Sequence, residues 1–166
     1  MIEGDSLRYA KDYGDFPYGA NFGARRTELR RIGGFRTGYG RVGNDFAGGE
    51  ETLVCFMMDT IGKKVALNPK SRVEHRIEAG RFNMEHIEKT AYSGILTQYR
   101  LRLDLYAPQD WNDINVRERA GRAERLSKAE AAGSADYTYY KSCAKAFDEV
   151  LELRQQNYRY MAENKR

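Results

Sequence analysis

An α/β domain followed by a helical extension is the fold class this chain predicts, on three observations. Between positions 50 and 100 the apolar residues switch between helical spacing and strand alternation. Glycine and proline stand at the switches, as Gly48-Gly49, Gly62 and Pro69. From Asp113 onward the composition shifts to Ala, Arg, Glu and Lys, the composition of exposed helix. The expected division is a domain over 1–107 and a helical extension over 108–166.

Taken in order, residues 1–15 are polar, carry Tyr9 and Tyr13 without a period, and read as an extended lead-in. Small residues at 19, 20 and 23 allow close backbone approach, and a short strand is expected within 18–24. Thr27 is the expected cap of a brief helix over 28–32 that Gly33-Gly34 stops, after which Phe35 returns to the core. A glycine-rich loop over 36–49 leads to Glu50, and loops of that length are usually functional. Leu53, Val54, Met57, Met58 and Ile61 share one face of a helix over 50–61, with Cys55 as a small core residue. Segments 64–68 and 72–77 alternate as strands, the second with Val73, His75 and Ile77 on one side. Met84, Ile87, Ala91, Ile95 and Tyr99 mark a helix of about five turns in which Gly94 is the weak position. Pro108 ends the short segment after that helix. Two more helices are expected over 116–131 and 136–164, the second lined by Ala144, Phe147, Val150, Leu151 and Tyr158 for packing on the body or on a partner.

A chain of 166 residues with 41% hydrophobic content can bury a core. Its net charge of +4 is mild and the signs are interspersed, so nucleic acid is not implied, while an anionic small substrate fits equally well. Cys55 and Cys143 have neither metal-ligand spacing nor a disulfide framework. No window approaches a membrane span and no signal peptide is recognisable. These features predict a cytoplasmic protein, with peripheral attraction to an acidic membrane as the membrane contact its basic patches would favour.

The chemistry-bearing stretch is Gly48-Gly49-Glu50-Glu51 at the start of the helix over 50–61. Carboxylates there meet orphan backbone N–H groups and the positive end of the helix dipole, and the glycines let the chain turn tightly into them. A carboxylate so held beside a cleft can accept a proton. The plain alternative is two acids decorating a helix start. His75 is the one histidine on an alternating segment, readable as a ligand or as a strand histidine bonded to a carbonyl. Arg25, Arg26, Arg76 and Arg81 can grip phosphate, although most arginines are simply solvated. His86 reads as surface, and Tyr92 and Tyr99 as core.

Several of these pieces, in order, carry a resemblance: Phe16-Pro17-Tyr18-Gly19-Ala20-Asn21-Phe22-Gly23-Ala24-Arg25-Arg26, then Ile32-Gly33-Gly34-Phe35, Gly48-Gly49-Glu50-Glu51, a glycine-ended helix, a short strand ending in Pro69, and Val73-Glu74-His75-Arg76. Over roughly residues 14 to 105 the chain resembles the acceptor-side half of family 2 GT-A glycosyltransferases. The N-terminal nucleotide-binding half with its Asp-x-Asp-like metal motif has no counterpart here. The resemblance implies a partial GT-A fold and an inverting, metal-dependent transfer of sugar from a nucleotide-sugar donor to a hydroxyl acceptor. It makes Glu51 the general base and Glu50 the holder of an acceptor hydroxyl. Gly19, Ala20, Asn21, Arg25, Gly48, Gly49, Arg76 and Arg81 become substrate contacts, and His75 a ligand of Mn or Mg whose other ligands lie in a missing half; a protein partner or that missing N-terminal half is the expected company of the chain. The family more often has Asp where Glu51 stands. Gln98-Tyr99-Arg100-Leu101 lacks the Trp of the processive members' Gln-x-x-Arg-Trp motif. On this reading the isolated chain is inactive, and Glu51 and His75 share one crevice. The competing expectation is a non-catalytic binding or assembly module acting through the C-terminal helices, with Phe147, Val150 and Leu151 as its contacts.

Overall fold

The computed structural model describes residues 6–11, 15–43, 46–105 and 112–163, with side chains to residue 156 in the last helix. Tyr13, Pro108 and position 164, and the side chain of Tyr158, lie outside the described residues. The chain is α-rich and forms two compact units, Met1–Gly40 with Gly49–Ile77 and Arg41–Gly48 with Glu78–Arg166.

The first unit holds β1 (Arg8–Tyr9), α1 (Arg26–Arg31), α2 (Glu50–Thr60) and β2 (Ala66–Leu67). β1 and β2 pair antiparallel with Arg8 opposite Leu67 and Tyr9 opposite Ala66, and the Ala10 N–H extends the ladder to the Val65 carbonyl at 2.9 Å. Arg8 grips Asp15 through both guanidinium nitrogens at 2.9 and 3.0 Å, tying the lead-in to the segment beyond it. α2 buries Leu53, Val54, Cys55 and Met58, close to the expected face, with Met57 and Ile61 only half-buried. Gly62, at φ 74°, closes its last turn: the Gly62 and Lys63 N–H groups bond back to the Asp59 and Met58 carbonyls. α1 begins earlier than its sequence suggests, so Thr27 lies inside it and Arg25 stands at its cap. Glu28 in its first turn and Arg30 and Arg31 in its last complement the helix dipole.

The α/β expectation therefore holds only in its helical part. The strand expected within 18–24 is instead a single 3₁₀ turn, Gly19–Asn21, because consecutive small residues favour a tight turn when no neighbouring strand supplies a ladder. The strand expected over 72–77 is absent, and every residue from 71 to 80 is exposed. Alternation marks a half-buried strand only if something covers its apolar side, and no described residue covers or pairs with this one. Phe35, expected in the core, is 47% exposed and meets Phe22 edge-on at 6.4 Å.

The second unit is three helices: α3 (Met84–Asp104), α4 (Asp113–Ala129) and α5 (Ala135–Glu163). Asn83 and Asn112 cap the first two, their side-chain oxygens accepting the His86 and Asn115 N–H groups at 2.7 and 2.9 Å. Ser134 accepts the Tyr137 N–H at 3.0 Å, after Gly133 takes φ 84° to turn the chain. α5 packs along both α3 and α4. Their shared core holds Ala91, Tyr99, Val116, Cys143, Phe147 and Val150, with Ala123 and Leu151 beside them. Phe147, Val150 and Leu151 are thus consumed inside the chain. A partner could not be met through them without unfolding the unit, which corrects the contact surface expected for an assembly module. Arg154, 7% exposed, donates from Nε to Asp113 Oδ1 at 2.6 Å and fastens α5 to the start of α4.

Residues 41–48 belong to this helical unit. Phe46 meets the His86 ring edge-on at 5.1 Å, Arg41 and Lys89 lie 5.2 and 5.9 Å from the Phe46 ring centre, and the Gly48 N–H donates to Thr97 Oγ1 at 3.3 Å. Among the described residues no helix is long and apolar enough to cross a membrane.

Candidate functional site: an acidic turn in the first unit

Gly49 caps α2 in the left-handed region, φ 84° and ψ 10°, and makes no side-chain cap. That conformation, which only glycine and a few short polar residues adopt cheaply, swings the chain so that Glu50 and Glu51 form the first helical turn. Glu51 reaches the 3₁₀ turn: the Gly19 N–H donates to its Oε1 at 3.1 Å. A Cβ built on Gly19 would stand 3.5 Å from the Glu51 carboxyl carbon and 3.6 Å from Glu50 Oε1. Gly40, at φ 89°, flanks the other acid, its Cβ position 3.5 Å from the Glu50 carboxyl carbon and from Oε2. Two bare glycine backbones thus lie against two adjacent, half-buried carboxylates. Asn21, at the end of the same turn, donates from Nδ2 to the Ser71 carbonyl at 2.7 Å, fixing the turn against the chain after Pro69.

The structure therefore brings Gly19, Ala20, Asn21, Glu50 and Glu51 to one place, with Gly49 setting the helix start. It does not bring the remaining expected residues there. Gly48 is bonded within the helical unit. Arg76 and Arg81 are exposed and belong to different units. His75 is exposed on irregular chain, and no hydrogen bond, ion pair or ring contact among the described residues joins it to Glu51. Nor does any group of three or more His, Cys, Asp or Glu side chains among the described residues stand ready to hold a metal. The described residues do not by themselves make up a Mn or Mg site.

Next to the acidic turn the first unit contains an open groove of about 510 Å³, into which Asn21, Arg25, Phe22, Tyr9, Lys63 and Lys64 face. Cys55 and Met58 contribute from α2. Burial, with the Glu51 carboxylate adding to it, pushes the Cys55 thiol up to about 12, so at neutral pH it is a protonated apolar group and no nucleophile.

Sequence reasoning missed Gly40, whose signal was one glycine among many in a loop. It also missed Lys63-Lys64, a basic pair directly after the helix-ending glycine that could have been noticed. Comparison of the chain with protein-family models, with curated proteins and with solved structures yields no match.

Proposed function

We propose that the acidic turn is the acceptor side of an inverting sugar transfer, with Glu51 as general base. The observation that supports this most is the Gly19 N–H bond to Glu51. It orients the carboxylate from bare backbone, where an acceptor hydroxyl can approach. Among the described residues no cation pairs with Glu51. In the reaction the acceptor O–H gives its proton to Glu51 while its oxygen bonds the anomeric carbon, and the bond from that carbon to the nucleotide diphosphate breaks on the opposite face, its electron pair leaving with the diphosphate. Glu50 holds a neighbouring hydroxyl of the acceptor, and the backbone of Gly19, Ala20 and Asn21 borders the donor sugar. The groups that hold the nucleotide, and a metal on it, come from outside the described residues, with His75 able to add one imidazole. No step here runs through that metal.

The test is titration of the chain with methyl glycosides, followed by backbone NMR. Shifts are expected at Gly19, Asn21, Gly40, Glu50 and Glu51, with millimolar affinity. Glu51→Gln should weaken binding about tenfold, the loss of one charge-assisted hydrogen bond, with helix content unchanged. If a broad glycoside panel leaves the turn undisturbed, or if Glu51→Gln binds as well as the parent chain, the reading is wrong.

A further inference from the structure

The groove beside the turn has a charge balance of its own. Glu28 is an acid facing it, and that carboxylate already serves two cations, with Lys63 Nζ 3.4 Å and Arg31 Nη1 3.3 Å from Oε2. Arg25 and Lys64 face the same space, and neither makes an ion pair with a carboxylate among the described residues. Lys64 instead lies over the Tyr9 ring, its Nζ 5.0 Å from the centre. Cationic side chains in the groove thus outnumber the acids, and an anion entering it meets an arginine fork whose planar donors suit phosphate. The walls between these charges are flat or small. Tyr9 and Phe22 are aromatic, and Cys55 and Met58 are apolar. A Cβ added at Gly23 would meet nothing within 4 Å, so that part of the wall is open backbone. The volume, about 510 Å³, is that of a small-molecule site.

We infer that this groove binds a phosphate monoester whose other end is a flat apolar ring, with Arg25 and Lys64 on the phosphate and the ring between Tyr9 and Phe22. This site takes Arg25, one of the contacts the resemblance implies for sugar transfer, but it uses neither Glu50 nor Glu51 and so does not depend on that reading. The arrangement predicts a ligand in which both parts count. Phosphate alone finds the cations but no apolar contact, and a neutral phenol finds the walls but leaves Arg25 and Lys64 without an anion.

The experiment is a titration of the full chain with phenyl phosphate, inorganic phosphate and phenol, monitored by amide shifts. Phenyl phosphate should bind about tenfold more tightly than either fragment, with shifts at Tyr9, Phe22, Arg25 and Lys64. Arg25→Gln and Lys64→Gln, both exposed positions at which folding should survive, should each weaken it about tenfold by removing a charge-assisted contact. Tyr9→Ala should weaken the ester while leaving inorganic phosphate unchanged. Glu51→Gln should leave the ester affinity intact, so failure of the sugar-transfer reading and failure of this one are separately visible. An ester no tighter than inorganic phosphate, shifts clustered away from the groove, or affinity indifferent to Arg25→Gln and Lys64→Gln would each overturn the inference.

Discussion

Gly49→Ala tests the geometry on which the acidic turn depends. Gly49 sits at φ 84° as the cap of α2, and an alanine held there brings its Cβ against the following carbonyl oxygen, which costs about 1–2 kcal/mol. Gly48 is the control. Its φ lies outside the left-handed region and its Cβ position meets nothing within 4 Å, so Gly48→Ala should change stability by less than about 0.5 kcal/mol. Because the chain forms two units, a single melting curve would blend them, and the loss is better read from native-state hydrogen exchange of α2 amides. The expected cost corresponds to about 5- to 30-fold faster exchange along Glu50–Thr60 in Gly49→Ala, with little change in α3 to α5. Gly49→Asn should recover much of the loss, since asparagine tolerates the left-handed conformation. Equal exchange in the two alanine variants, or an effect confined to the helical unit, would refute the claim that backbone conformation at 49 sets the start of α2.

Three other contacts carry predictions of their own. Asp113→Ala removes the carboxylate 2.6 Å from Arg154 Nε and should destabilise the helical unit by about 1–3 kcal/mol, read from native-state hydrogen exchange of α4 and α5 amides, with part of the loss recovered by adding Arg154→Met. Val150→Ala removes two methyl groups from a fully buried site and should cost about 2 kcal/mol by the same measurement. The Arg8 hydrogen bond and the Lys11 N–H hold the Asp15 carboxyl down at about 2. A carboxyl depressed on folding lends stability above its ordinary value near 4 and loses it as pH falls through the folded value, so the ties of the lead-in should loosen between about pH 4 and 2. Carbon-detected NMR titration of Asp15 checks this, and in Arg8→Ala its midpoint should rise toward the ordinary range.

Helices were legible because their information is local. The spacing of Leu53, Val54 and Met58, and of Phe147, Val150 and Leu151, states which face is buried whatever the face is buried against, and these faces are buried as expected. Strands were not, because pairing is a relation between distant segments. Residues 72–77 have the alternation of a strand and, among the described residues, no partner, while the pair Arg8–Tyr9 with Ala66–Leu67 is too short to show a period. The approach of the Gly19 turn to Glu51 was not legible, since nothing in either segment alone encodes a contact across that sequence separation. Gly40 was illegible for the opposite reason: every glycine in its loop looked alike, and only its position against Glu50 singles it out.

The path of the backbone constrains how this molecule can be dissected. It crosses from one unit to the other between 40 and 41, returns between 48 and 49, and leaves again between 77 and 78. No single cleavage can release either body, and neither corresponds to one uninterrupted stretch of gene. A fragment ending at residue 77 would carry Phe46 and Gly48 without the His86, Lys89 and Thr97 against which they lie, leaving a strap with nothing to buckle to.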